Sequence, residues 1–311
     1  MATVLANGID VYYEEHGEGD PLLLIMGWGG NAATWRPQLR GLAERFRVIV
    51  FDNRGVGRTS APFERYSIPQ MAEDAVALLQ ALEVRRAHVF GVSMGGMVAQ
   101  ELALRFPEWV DALVLGCTSP GSERAPGLAK LRGDVAEFHK TAEAGGVDLS
   151  WFGQFMRLLW TERAISRADT SLQDFILSLI RFPPTVHGMK HQAEAVLAHD
   201  TYSRLGEIKQ ATFVITGDDD PLIDPENSQV LAQRIPRAQL RVFEGLRHAF
   251  HLERPDEANA AVIDFIEDAR RSPKGANDRA GKPTAKPAAS RKRSHSGGSN
   301  GQAPRRPRKK H

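Results

Sequence analysis

Along the chain, short continuous apolar runs alternate with stretches of helical spacing. Val4-Leu5 and Val11-Tyr12-Tyr13 flank Asn7-Gly8, a dipeptide suited to the positive backbone angles of a tight hairpin turn. Apolar runs at 21–26, 46–51, 86–90, 110–116, 211–216 and 238–243 read as strands. Apolar residues recur at helical spacing over 68–82, 95–106, 226–234 and 256–270. Strands alternating with helices predict an α/β fold, a doubly wound and mostly parallel sheet covered on both faces.

The alternation stops near Pro120 and resumes near 207. Between them the pattern is helical and rich in large apolar residues, among them Trp151, Phe152, Phe155, Trp160, Phe175 and Phe182. We expect a helical cap, residues 120–206, inserted between the sixth and seventh strands of a core formed by 1–119 and 207–271. Most of the cap's aromatics should form its own core, with a few, Phe155 and Trp160 foremost, facing the gap above the sheet. From Ser272 onward Pro, Gly, Ser, Lys and Arg dominate and little remains to bury, which predicts disorder over 272–311.

Charge sharpens this division. Of 40 basic and 38 acidic residues, 12 and 1 lie from Ser272 onward, which leaves an acidic body of net charge −9. The basic tail, with clusters at 291–293 and 305–310, suits weak, salt-sensitive binding of polyanions such as nucleic acid or an anionic membrane. It carries no aromatic residue to stack on bases. The start of the chain lacks a basic region followed by an apolar core, and no apolar run reaches the ~20 residues of a bilayer span. Cys117 is the only cysteine, so no internal disulfide can form and a cytoplasmic setting is expected.

The chemistry centres on Gly91-Val92-Ser93-Met94-Gly95, which follows an apolar strand and opens a helix. A strand that turns sharply into a helix leaves its apex side chain exposed at the sheet end, and glycines two positions either side give the turn room. The five-residue pattern alone is weak, since Gly297-Gly298-Ser299-Asn300-Gly301 matches it in the polar tail with neither strand nor helix beside it.

A serine hydroxyl needs a base to take its proton, and the base needs a carboxylate to fix its tautomer. The run 211–216 ends in Gly217-Asp218-Asp219-Asp220-Pro221. Asp220 is the candidate acid, with Asp219 in reserve and Asp224 a candidate cap for the next helix. The run 238–243 leads into a loop holding His248, the candidate base, while His251 one turn later suits a wall or structural role.

The order Ser93, Asp220, His248, each beyond a strand end, resembles the α/β-hydrolase family over about residues 5–270. Asp52-Asn53-Arg54-Gly55-Val56-Gly57-Arg58-Thr59-Ser60 is similar to a further signature of that family and reads as a turn bracing the site. The resemblance implies an oxyanion hole from the backbone N–H groups of Trp28 and Met94. Met26-Gly27 stands where the family often has His-Gly, a change that keeps the backbone donor. Trp28, Met94, Phe155 and Trp160 are the expected pocket residues.

By resemblance the activity is that of a serine hydrolase acting on an ester, thioester or lactone of a small, mainly apolar substrate, in the company of bacterial carboxylesterases, methyl-esterases and enol-lactonases. Carbon–carbon bond hydrolases, cofactor-free haloperoxidases with perhydrolase activity and small-molecule receptors with a retained triad share the framework. No cofactor is expected, because no dinucleotide fingerprint follows an early strand. His187 and His191 lie four apart, but no third ligand is near in sequence, so no metal is expected.

Overall fold

The structure, a computed structural model, describes residues 2–143 and 149–271. The basic tail, with Ser299, lies outside the described residues. The chain opens with β1 (Ala2–Ala6) and β2 (Ile9–His16), paired antiparallel with Ala6 opposite Ile9. Asn7 and Gly8 between them have φ of 47° and 77°, the double left-handed turn that Asn-Gly favours.

Then follow β3 (Asp20–Ile25), α1 (Arg36–Leu42), β4 (Phe46–Phe51) and α2 (Ile68–Ala81). Next come β5 (Ala87–Val92), α3 (Met94–Arg105) and β6 (Val110–Gly116). Five helices intervene: α4 (Leu128–Glu143), α5 (Leu149–Leu159), α6 (Glu162–Arg167), α7 (Thr170–Arg181) and α8 (Val186–Ala198). The sheet resumes with β7 (Ala211–Gly217), α9 (Glu226–Arg234) and β8 (Ala238–Phe243). The last described elements are α10 (Phe250–Glu253) and α11 (Pro255–Arg271).

The strands form one eight-stranded sheet in the order β1-β2-β4-β3-β5-β6-β7-β8. β1 and β2 are antiparallel to their neighbours, and every pairing from β4 to β8 is parallel. The chain crosses from one half of the sheet to the other between β3 and β5, and ligands bind beyond the carboxyl ends of strands at such a reversal.

Both faces of the central strands β3 to β7 are covered, which is why they read as nearly unbroken apolar runs rather than alternations. In β3, Leu23 and Ile25 pack with Met71, Leu78 and Leu79 of α2 and Val98 and Leu102 of α3. Leu22 and Leu24 face the other way, with Leu42 of α1 and Val262 and Ile266 of α11. α2 starts where Ser67 accepts a hydrogen bond from the Gln70 N–H and Pro69 occupies the first turn, the arrangement helix starts prefer.

The insert has its own cluster of Met156, Leu159, Trp160, Ala164, Leu172 and Phe175, which also takes in Ala249 and Leu252 from beyond β8. Polar contacts join the insert to α10 and the residue before it, in the segment that follows β8. Thr161 donates through N–H and hydroxyl to Glu253 at 2.8 and 2.7 Å, and the Ala249 N–H donates to the Leu159 carbonyl at 2.8 Å. No helix among the described residues is long and apolar enough to cross a membrane.

Candidate active site

Ser93 stands between β5 and α3 with φ 56° and ψ −123°, a conformation L residues rarely adopt. Its backbone is pinned on two sides: its N–H donates to the Gly116 carbonyl at 2.8 Å, and its carbonyl accepts from the Thr118 hydroxyl at 2.7 Å. The flanking glycines are sterically required. A Cβ on Gly91 would lie 2.1 Å from the Gly95 oxygen, and one on Gly95 would lie 2.0 Å from the Ile25 oxygen. Such distances are far inside van der Waals contact, so the turn closes only without side chains at these positions.

Met94 is the first residue of α3, so its N–H has no acceptor within the helix and belongs to the positive end of the helix dipole. The loop after β3 passes close over Ser93: a Cβ on Gly27 would be 3.0 Å from the Ser93 Cβ. Trp28 follows in that loop. Its indole N–H donates to the Met189 carbonyl at 2.8 Å, and its ring meets Phe138 and Phe155 edge-on at 4.7 and 5.6 Å.

Three groups hold this loop. Gln192, fully buried on α8, accepts from the Gly29 N–H at 3.0 Å and donates to the Arg54 carbonyl at 2.9 Å. Asn53 donates to the Met26 carbonyl at 2.9 Å. Asp52 accepts from the Ala32 N–H at 2.7 Å with one oxygen and from Arg58 with both. Arg54 makes a buried bidentate pair with Asp74 at 2.6 and 2.7 Å. The charges of the 52–60 turn thus act within the protein: Asp52 holds the end of the loop that carries Trp28, and Arg54 ties the turn to α2.

Asp220 lies in the turn after β7, its side chain fully buried. One carboxylate oxygen accepts from the N–H groups of Leu222 and Ile223 at 2.9 and 3.0 Å, and the other accepts from His248 Nδ1 at 2.7 Å. Burial alone would push the His248 pKa down, but the Asp220 charge, the neighbouring Cys117 and the hydrogen bonding to both outweigh it and hold the pKa well above its ordinary range. The neighbouring aspartates are engaged elsewhere. Asp218 accepts from the Gly245 N–H at 2.6 Å, Asp219 meets Arg247 Nε at 3.2 Å, and Asp224 accepts from the Glu226 N–H at the start of α9.

Two apolar cavities share Trp28, Ser93, Phe155 and Leu222 as wall residues. The larger, about 150 Å³, extends along Met94, Met97, Phe138 and Trp151. The smaller, about 70 Å³, reaches His248, Cys117, Thr34 and His251. Ser93 and His248 therefore border the same space. Trp160 lines neither: it is fully buried in the insert's own cluster, 6.2 Å from the Phe175 ring. His251 is buried with both ring nitrogens unpartnered, and burial, reinforced by His248, pushes its pKa down to about 3. His187 meets the Ala61 carbonyl at 2.9 Å and stacks on Phe63, while His191 packs against the Tyr66 ring and lies 3.5 Å from Glu194.

Gln192 and Cys117 are among the site residues that sequence reasoning passes over. The position of Cys117 directly after β6, next to the strand that carries Ser93, is the signal that finds it. Gln192 has no comparable signal, because its partners are 163 and 138 residues away.

A model of the alpha/beta hydrolase fold matches residues 20–255. The chain belongs to the α/β-hydrolase family. Among relatives of this α/β-hydrolase, a protein of Azorhizobium caulinodans provisionally named carbamate hydrolase RutD is 34% identical over 256 residues, 82% of this chain and 94% of its own. The enol-lactonase of Burkholderia xenovorans LB400 superposes with a TM-score of 0.72 at 26% identity, over 86% of this chain and 100% of that one. The meta-cleavage product hydrolase CumD of Pseudomonas fluorescens IP01 does so with a TM-score of 0.73 at 25% identity, over 86% and 98%. The α/β-hydrolase described here is thus a hydrolytic enzyme whose relatives carry several substrate names.

Proposed function

We propose that this enzyme hydrolyses an ester, thioester or lactone of a small, mainly apolar substrate through an acyl-enzyme on Ser93. The carrying observation is that Ser93, held at a strained turn, borders one cavity with His248, whose other ring nitrogen is bonded to the buried Asp220 at 2.7 Å. Asp220 keeps Nδ1 protonated, which leaves Nε2 free to take the serine proton. Ser93 Oγ attacks the carbonyl, and the oxyanion is received by the N–H groups of Met94 and Trp28. His248 hands the proton to the leaving alcohol or thiol. It then takes a proton from water, whose oxygen attacks the acyl-enzyme, and returns that proton to Ser93 Oγ as the acyl carbon–oxygen bond breaks, releasing the acid and free serine.

Helices α4 to α8, residues 120–206, act in this reading as a cap over the core of 1–119 and 207–271. They supply Phe155, Phe138 and Trp151 to the larger cavity, with Trp28 and Met94 opposite. The basic segment 272–311 binds polyanions weakly and takes no part in hydrolysis.

The likeness to CumD favours one second reading, cleavage of a carbon–carbon bond on the same triad. A screen of p-nitrophenyl esters of graded acyl length against a vinylogous diketone tests the two. Ester turnover lost in Ser93→Ala supports the proposal. Fast diketone cleavage with negligible ester turnover overturns it in favour of the second.

A further inference from the structure

The walls of the two cavities carry a charge pattern that bears on the substrate. Among the described residues lining them there is no lysine or arginine. Two histidines are present. His248, whose pKa is raised, is paired with the buried Asp220 carboxylate, which offsets its charge, and burial pushes the His251 pKa down to about 3. Besides the Cys117 thiol, the remaining ionisable side chains on the wall are acidic, Asp134 and the largely exposed Glu137, one helical turn apart on α4. Each has a lysine nearby, Lys130 at 2.7 Å and Lys140 at 3.8 Å, but neither lysine borders the cavity.

A carboxylate or phosphate on the substrate would leave water for apolar walls and find no lysine or arginine to pair with, while two acidic groups, each with a lysine of its own, border the larger cavity. Burying an unpaired anion costs far more than burying an uncharged carbonyl, whose oxygen the two backbone N–H groups can receive. We infer that the site selects uncharged substrates and rejects esters that carry a carboxylate or phosphate on either half. This rests on the ester-hydrolase reading and adds the charge of the molecule that reading takes. The same walls act on the product. Ester and water become acid and alcohol, the acid gives up its proton, and the resulting anion is expelled from a cavity with no lysine or arginine to hold it.

The test uses a matched pair. Phenyl butyrate and phenyl hydrogen succinate differ only in a terminal methyl against a terminal carboxylate. With the full-length enzyme, kcat/KM should favour phenyl butyrate by about 100-fold or more. Binding of the same pair to Ser93→Ala, followed by fluorescence of Trp28 and Trp151 on the wall, should differ by about 30-fold or more, and a smaller difference overturns the inference. Because binding needs no chemistry, it decides this point even if neither ester is turned over, an outcome that would sink the ester reading alone. Leu131→Arg, which places a cation on the wall of the larger cavity, should narrow the binding ratio about 10-fold with the melting temperature checked alongside.

Discussion

His248 Nδ1 donates to Asp220 Oδ2 at 2.7 Å, and both side chains are nearly sealed from solvent. The other Asp220 oxygen is filled by two backbone N–H groups, so the carboxylate has one direction left in which to act. A contact this buried and this directed fixes both the tautomer and the protonation range of the imidazole.

The pH profile should carry its signature. The base must be neutral, and the Asp220 charge raises the His248 pKa against the opposing effect of burial. Activity is therefore lost as pH falls through the raised value, and the acid limb of kcat/KM should have its midpoint above the ordinary 6.5. Asp220→Asn removes the raising charge, so the midpoint should move down while kcat falls by roughly 10⁴. A midpoint that does not move would contradict the assignment of Asp220.

Asp219 offers the matching control. Its carboxylate meets Arg247 at the surface rather than His248. Asp219→Asn should leave kcat within about threefold, as surface changes usually do, and a loss comparable to that of Asp220→Asn would exchange their roles.

The elbow glycines predict a stability effect. Gly95→Ala would drive a methyl group into the Ile25 carbonyl, a backbone atom with little freedom to yield. Thermal or denaturant unfolding should report a loss of about 3 kcal/mol or more, the upper end of overpacking costs. Full stability would mean that the turn is looser than described.

Gln192 links the insert to the loop bearing Trp28. Gln192→Ala leaves the Gly29 N–H and the Arg54 carbonyl buried without partners, each worth about 1–3 kcal/mol. Stability should drop, and kcat should fall about tenfold or more with KM little changed, because the loop carries the proposed oxyanion donor rather than a group that binds the ground-state substrate. Unchanged kcat would detach Gln192 from that role.

Removing residues 272–311 should leave steady-state ester hydrolysis intact and abolish any retention on a heparin or DNA column at low salt. Lost hydrolysis would make the segment part of the enzyme.

Much of the fold is legible because covered parallel strands announce themselves as short apolar runs. Boundaries are less so. The run 86–90 continues to Val92, since Gly91 and Val92 still pair with Leu115 and Gly116, whereas a glycine in sequence reads as a strand end. The contact between His248 and Asp220 is legible because each residue follows a strand whose carboxyl end faces the same crevice. The insert is not legible at this level. Phe155 and Trp160 lie five apart on one amphipathic stretch, yet Phe155 borders both cavities and Trp160 is sealed among Met156, Ala164 and Phe175. Helical spacing identifies an apolar face but not which part of it meets a neighbour and which meets a void. Gln192 shows the same limit for polar residues, since its buried partners come from loops far away in the chain.

The central claim is that Ser93 is the nucleophile. Reaction with a fluorophosphonate probe, digestion and mass mapping of the adduct test it most directly. One adduct on the peptide containing Ser93, absent in Ser93→Ala together with ester turnover, is the predicted result. An adduct on another residue, or ester turnover that survives in Ser93→Ala, would contradict it.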